Sequence, residues 1–246
     1  MKHSSPLKVS AGLFVLLLSI AQVAPLSAQT RLKPGMNLFS LRDDVQIGQR
    51  SAAQVERQYR THNDSRVSRI GRRLAARSTM PNLPWRFRVI DRADINAFAL
   101  PGGYVYVTSG MLRRVRNDSE LAGILAHEIT HVTLRHGTNQ ASKAMLAQMP
   151  LQMLGGRLGG GLAGNLAQLG ISLGLNSLFL KYSRGAETQA DVGAVQLMRR
   201  AGYSPSGLVS FMHTLNSNGG GFFSDHPSPA NRIGRIQQEI ATTGRL

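Results

Sequence analysis

Apolar and polar residues alternate along this chain with a period that changes from stretch to stretch. From Ala11 to Ile20 the run is almost wholly apolar, Ala-Gly-Leu-Phe-Val-Leu-Leu-Leu-Ser-Ile. It is short for a membrane span, and Gln22 and Pro25 interrupt the residues after it. Residues 45–78 read as helical, with a polar break at Thr61–Ser65. Within them Val67, Ile70 and Leu74 recur at the spacing of one helix face. Arg66, Arg69, Arg72, Arg73 and Arg77 surround that stripe, and the plainer reading of them is a solvated face. Pro81 and Pro84 close the region. Trp85–Val89 then alternates with period two, and Ile95–Leu100 and Tyr104–Val107 are two further strand candidates. Pro101-Gly102-Gly103 between them is turn chemistry, so a small antiparallel sheet is expected.

A strongly signalled helix comes next. Asn117 can cap it, Glu120 completes a capping-box pattern, and Gly137 stands where a terminating glycine would. Residues 145–180 are rich in Leu, Met and Gly, and Arg157 is their one charged residue. They read as two apolar helices joined by a glycine segment, forming either a lid over a cleft or a membrane-facing surface. A helix from about Leu175 to Arg200 is stopped by Gly202, and a short helix covers Ser204–Leu215. A Gly/Ser/Pro loop runs from Asn216 to Pro229, and a terminal helix covers 230–241. The expected class is α+β, mostly α, with the small sheet packed on the capped helix.

Composition changes the picture at the N-terminus. Lys2, His3 and Lys8 precede the apolar run, and Leu26-Ser27-Ala28 comes after it. That order is a secretory signal peptide over residues 1–28, cut after Ala28, with an uncleaved anchor as the alternative. Residues 29–246 then form a single domain. The chain of 246 residues carries 29 Lys+Arg against 13 Asp+Glu, a net charge of +16. Only Lys2, Lys8, Lys33, Lys143 and Lys181 are lysines, a bias that points to the source genome as much as to a polyanionic partner. Export argues against nucleic acid and leaves an anionic membrane as the surface such charge would meet. Zero Cys excludes a disulfide scaffold, thiolate metal ligands, a Cys nucleophile and a lipidated Cys.

The candidate chemistry is His127-Glu128-Ile-Thr-His131, an H-E-x-x-H pattern inside the capped helix. At about 100° per residue, the two histidines are offset by only about 40° around the helix and by one turn along it. Both imidazoles can converge on one ion, with Glu128 beside them to take a proton from a water the metal acidifies. A catalytic zinc needs a third protein ligand. His136 lies about 900° from His127, on the opposite face if the helix continues, and reads as an electrostatic partner of the helix end. His62 reads as solvent-facing and His213 as a core residue. Glu187, Asp191 and His226 remain. Glu187-Thr-Gln-Ala-Asp191 puts two carboxylates on one helix face, suited to one ligand and one residue orienting a ligand histidine.

Four segments together resemble the HtpX/BepA/LoiP-type zinc metalloproteases, relatives of the CAAX prenyl proteases and the mitochondrial Oma-type protease. They are Asn96–Gly110, Glu120–Gly137, Tyr182–Asp191 and His226-Pro-Ser-Pro-Ala-Asn-Arg232. The resemblance covers nearly all of 29–246 and implies a gluzincin-like fold. It implies one Zn2+ per chain on His127, His131 and Glu187, with Glu128 as general base and Asp191 orienting a ligand histidine. It leaves His226 two roles: stabilising an oxyanion, or binding the metal in a closed, latent state. Arg232 would pair with an acid near the cleft, and Asn96, Ala97, Phe98 and Ala99 would hold an extended substrate. The chain matches a short form, without the C-terminal repeats or multiple membrane spans of some relatives.

The expected function is an exported zinc endopeptidase of the periplasm, cutting unfolded or misassembled envelope proteins, with peripheral contact to anionic membrane. The alternative is an envelope-binding, chaperone-like protein whose proteolysis is latent. The sequence leaves the oligomeric state and the substrate open.

Overall fold

The structure, a computed structural model, describes residues 30–148, 182–218, 226 and 231–243. The signal-peptide expectation, and all of the Gly/Leu-rich segment beyond residue 148, lie outside these residues. Helix α1 (Leu41–Gln58) opens with a full capping box between Ser40 and Asp43. The polar break carries a two-residue strand, β1 (Thr61–His62). Helix α2 (Ser65–Ala75), capped by Asp64, buries Val67, Ile70 and Leu74, as their spacing requires.

Strands β2 (Arg86–Ile90), β3 (Ala97–Leu100) and β4 (Tyr104–Thr108) complete the sheet. Its order is β1-β2-β4-β3, and it is mixed. β1–β2 and β3–β4 are antiparallel, but β2 and β4 run parallel. The expectation of a small sheet holds, and its wholly antiparallel pairing does not. The reason is burial: every residue of β4 is buried, so Tyr-Val-Tyr-Val-Thr takes a central place. β4 turns back on β3 through Gly102 and Gly103, whose φ angles of 77° and 106° suit glycine, and slots in between β3 and β2.

The short α3 (Ser109–Arg114) leads into α4 (Asp118–Thr133), whose residues from Glu120 onward are all buried. A helix buried on every face belongs at the centre of a fold, and its polar residues there need partners. α4 packs against the sheet, α2, α6 (Arg184–Arg200) and α7 (Ser206–Asn218). α6 ends at Gly202, φ 74°, as its sequence predicts. At Gly193 of α6 a Cβ would strike the Thr130 side chain, so glycine sets the closeness of α4 and α6. Helix α5 (His136–Gln148) comes almost directly after α4, and α8 (Arg232–Thr243) packs on α6 and α7. Met145 of α5 sits in a small cluster with Phe39, Ile47 and Ala141. None of the described helices is long and apolar enough to cross a membrane.

Candidate metal centre

One turn of α4 separates His127 from His131, and their Nε2 atoms stand 3.0 Å apart. α6 begins at its Ser183 cap, and its first turn carries Glu187 to the same point. Glu187 Oε2 lies 3.3 Å from His127 Nε2, and Oε1 lies 3.4 Å from His131 Nε2. His226 arrives between α7 and α8. Its Nδ1 is 3.1 Å from Glu187 Oε1 and 3.3 Å from His127 Nε2. Donor atoms of these four residues all lie within 4.8 Å of one another, and all four side chains are buried. Glu128, wholly buried, points Oε1 at His226 Nε2 from 3.4 Å.

The donor set fits a metal in two respects. Four lone-pair atoms around a cation at ligand distances near 2.0 Å are spaced by about 3.3 Å in a tetrahedron, and the adjacent pairs here span 3.0–3.4 Å. Charge gives the second argument. The buried side chains of the centre include the carboxylates of Glu128, Glu187 and Asp191 and the guanidinium of Arg232. Among the described residues, with the histidines counted as neutral, these sum to two formal negative charges, which a divalent cation would balance; isolated buried charge is costly.

Around the donors sit residues that fix them. Asp191, one turn beyond Glu187 on α6, places Oδ1 3.1 Å from His127 Nδ1. Arg232 of α8 grips Asp191 with two hydrogen bonds of 2.7 Å and reaches Glu187 Oε2 at 3.3 Å. Burial opposes charge on Glu187, but hydrogen bonds from His127, His131 and His226 outweigh it and hold the carboxyl well below the usual range. Burial drives His131 well below an ordinary histidine. Tyr182 lies face-on to the His131 ring, centroids 3.9 Å apart, and burial keeps its phenol protonated by pushing the pKa up.

Two readings of histidines are corrected. His136 is not on the far side of a continuing helix. α4 ends at Thr133, and Arg135 takes a left-handed φ of 55°, so α5 restarts at His136 and turns its ring back to the site. His136 Nδ1 lies 2.9 Å from His131 Nδ1, and its Nε2 lies 3.0 Å from Gln189 Oε1. Gly137 therefore does not end the helix. His213 is exposed on α7 rather than in the core. His62 is half-exposed beside Asp91, as expected.

Ala97, Phe98 and Ala99 lie on β3, just after Asn96. The Asn96 side-chain oxygen accepts from the Ala97 N–H, Ala97 and Ala99 are buried, and Phe98 stacks on Tyr106 at 5.2 Å. Among the described residues β3 is the last strand of the sheet, and its outer backbone edge is what it offers a partner. Ala99 and Leu100 line a small cleft with His131 and Tyr182, next to the donors.

A helix-borne H-E-x-x-H pair, completed by a glutamate from a second helix in a mostly helical fold with a small sheet, defines a metallopeptidase. The chain belongs to peptidase family M48, whose family model matches residues 61–240. Among similar proteins is the metalloprotease YcaL of Escherichia coli, 31% identical over 187 residues, which are 72% of this chain and 73% of that one. A beta-barrel assembly-enhancing protease of Yersinia pestis is 32% identical over 158 residues, 61% of this chain and 32% of that one. The mitochondrial metalloendopeptidase OMA1 of Schizosaccharomyces pombe is 32% identical over 185 residues, 70% of this chain and 51% of that one. The chain thus spans about a third of the Yersinia protein and half of the yeast one.

Proposed function

We propose that the protein is an exported zinc endopeptidase that cuts unfolded or misassembled proteins of the cell envelope. The observation that carries this reading is the convergence of His127, His131 and Glu187 on one point, with Glu128 beside them. Residues 1–28 direct export and are removed after Ala28, and 29–246 act as one protease domain in the periplasm. Relatives named beta-barrel assembly-enhancing proteases support the envelope assignment. The net charge of +16 suits contact with an anionic membrane surface, weakened by salt.

His127, His131 and Glu187 hold the zinc. Bound there, zinc supplies the positive charge that polarises a scissile carbonyl and acidifies water. Glu128 takes the proton of the attacking water and passes it to the leaving amine. Asp191 keeps the Nδ1 proton on His127, so that Nε2 faces the metal, and Arg232 holds Asp191 in place. The outer edge of β3 at Ala97–Ala99 pairs with an extended substrate, reading backbone more than side chains. His226 fills the fourth donor position in a latent form; a catalytic zinc needs that position open. The closeness of its Nδ1 to Glu187 and His127 supports this role over oxyanion stabilisation.

Glu128→Gln tests the reading. The full chain and this variant should each hold about one zinc, while cleavage of an unfolded protein should fall by ~10²–10⁴ in the variant. Undiminished cleavage would refute it.

A further inference from the structure

The two histidines of the H-E-x-x-H pair are held from behind by unlike partners. His127 Nδ1 meets a carboxylate, Asp191, at 3.1 Å. His131 Nδ1 meets another imidazole, that of His136, at 2.9 Å. His136 in turn meets the side-chain oxygen of Gln189 at 3.0 Å, on the same helix as Glu187 and Asp191. His136 is buried, with 5% of its surface exposed.

The proton positions along this chain are set by what each atom can do. An amide oxygen only accepts, so His136 Nε2 carries the hydrogen. His131 Nε2 faces His127 Nε2 and Glu187. An imidazole that gives the lone pair of one nitrogen to a metal keeps its hydrogen on the other, so His131 Nδ1 is the donor. His136 Nδ1, 2.9 Å away, is then the acceptor. Reversing the chain would put a hydrogen on His131 Nε2, where a metal ligand must have a lone pair.

We propose that His136 is a positioning residue of the metal centre: it accepts the Nδ1 proton of His131, is itself anchored by Gln189, and so presents the His131 Nε2 lone pair to the ion. The inference rests on the reading of His131 as a metal ligand. It also gives the break after α4 a purpose. Because Arg135 turns the chain at φ 55°, a histidine five residues beyond His131 reaches back to it. An imidazole there, unlike a carboxylate, orients the ring without adding another anion to the three carboxylates already buried.

Zinc affinity decides it, measured on the full chain by competition with a chromophoric chelator. The wild type should bind about one zinc, and His136→Leu should bind it ~10–100-fold more weakly. His136→Asn, which returns an acceptor oxygen near the Nδ1 position, should recover most of the loss. Gln189→Leu, at a half-buried surface position, should weaken binding, and Gln189→Glu, which still accepts, should not. In the cobalt-loaded proteins, the visible absorption bands should shift for His136→Leu and match wild type for His136→Asn. Wild-type affinity and an unshifted cobalt spectrum in both leucine variants would overturn the relay while leaving the metal site standing. A wild type that binds no zinc would overturn both.

Discussion

At the scale of residues, the centre is a set of buried polar atoms that hold one another in register. Arg232 is the outermost support: its paired hydrogen bonds to Asp191 fix the carboxylate that meets His127, and removing one partner of a buried pair of this kind costs about 3–5 kcal/mol. His226 is different, because it reaches the donors from a segment between helices rather than from a helix. If it closes the site, His226→Ala should raise cleavage of an unfolded protein, or self-cleavage, several-fold over wild type in a time course of product formation. A fall in rate would assign His226 to the oxyanion instead. His127, Glu128 and His131 are legible in sequence because one turn of helix fixes their geometry without help from the rest of the fold. Glu187, Asp191 and His226 can be singled out but not given places by spacing alone, since long-range packing brings α6 and residue 226 to α4. His136 is misread because a non-glycine residue, Arg135, adopts the left-handed turn. That conformation costs about 1–3 kcal/mol. The Arg135 guanidinium is clamped by Asp44 at 2.6 and 3.0 Å and by the Phe39 carbonyl at 2.7 Å, contacts no local pattern announces.

At the scale of elements, α4 is set by its first turn. Asn117 caps the Glu120 N–H, while the buried Glu120 carboxylate turns to Arg116, accepting from its backbone N–H and its guanidinium, and to Ser210 of α7. The capping box expected from Asn117 and Glu120 is thus shifted by one residue, and it ties α4 to α7. Burial alone would raise the Glu120 pKa, but Arg116 and Ser210 outweigh it and hold it below the ordinary glutamate value. A carboxylate with a depressed folded pKa stabilises fully above its unfolded value and loses that contribution as pH falls through the folded one. The stability difference between wild type and Glu120→Gln should therefore be constant above about pH 5. Below that it should shrink steadily, as read by denaturant unfolding at a series of pH values. A difference independent of pH would remove this role from Glu120. The sheet is only partly legible for a related reason: strand spans can be read from period-two alternation, but the insertion of β4 between β2 and β3 is a matter of burial, which alternation does not report.

At the scale of the molecule, residues 30–40 act as a strap across the helices that carry the centre. Thr30 bonds Glu239 of α8 and Gln196 of α6, Asn37 bonds Thr138, and Leu38 bonds Ser142 of α5. Leu32 lies against Gly193 behind the crossing of α4 and α6. The sequence pattern does not reveal the strap, because its polar contacts reach partners about 100 to 200 positions away. The large positive charge, conspicuous in the composition, contributes little to the centre itself: among the described arginines, Arg232 is the one that touches a donor residue. The central claim is that this fold gathers His127, His131 and Glu187 to hold one metal ion used in peptide-bond hydrolysis. Its most direct test is zinc content measured alongside cleavage of an unfolded protein by the purified chain, before chelation, after it, and after zinc is returned. The expected result is about one zinc per chain, loss of cleavage with the metal, and recovery on its return. Cleavage that continues unchanged in the metal-free protein would contradict the claim.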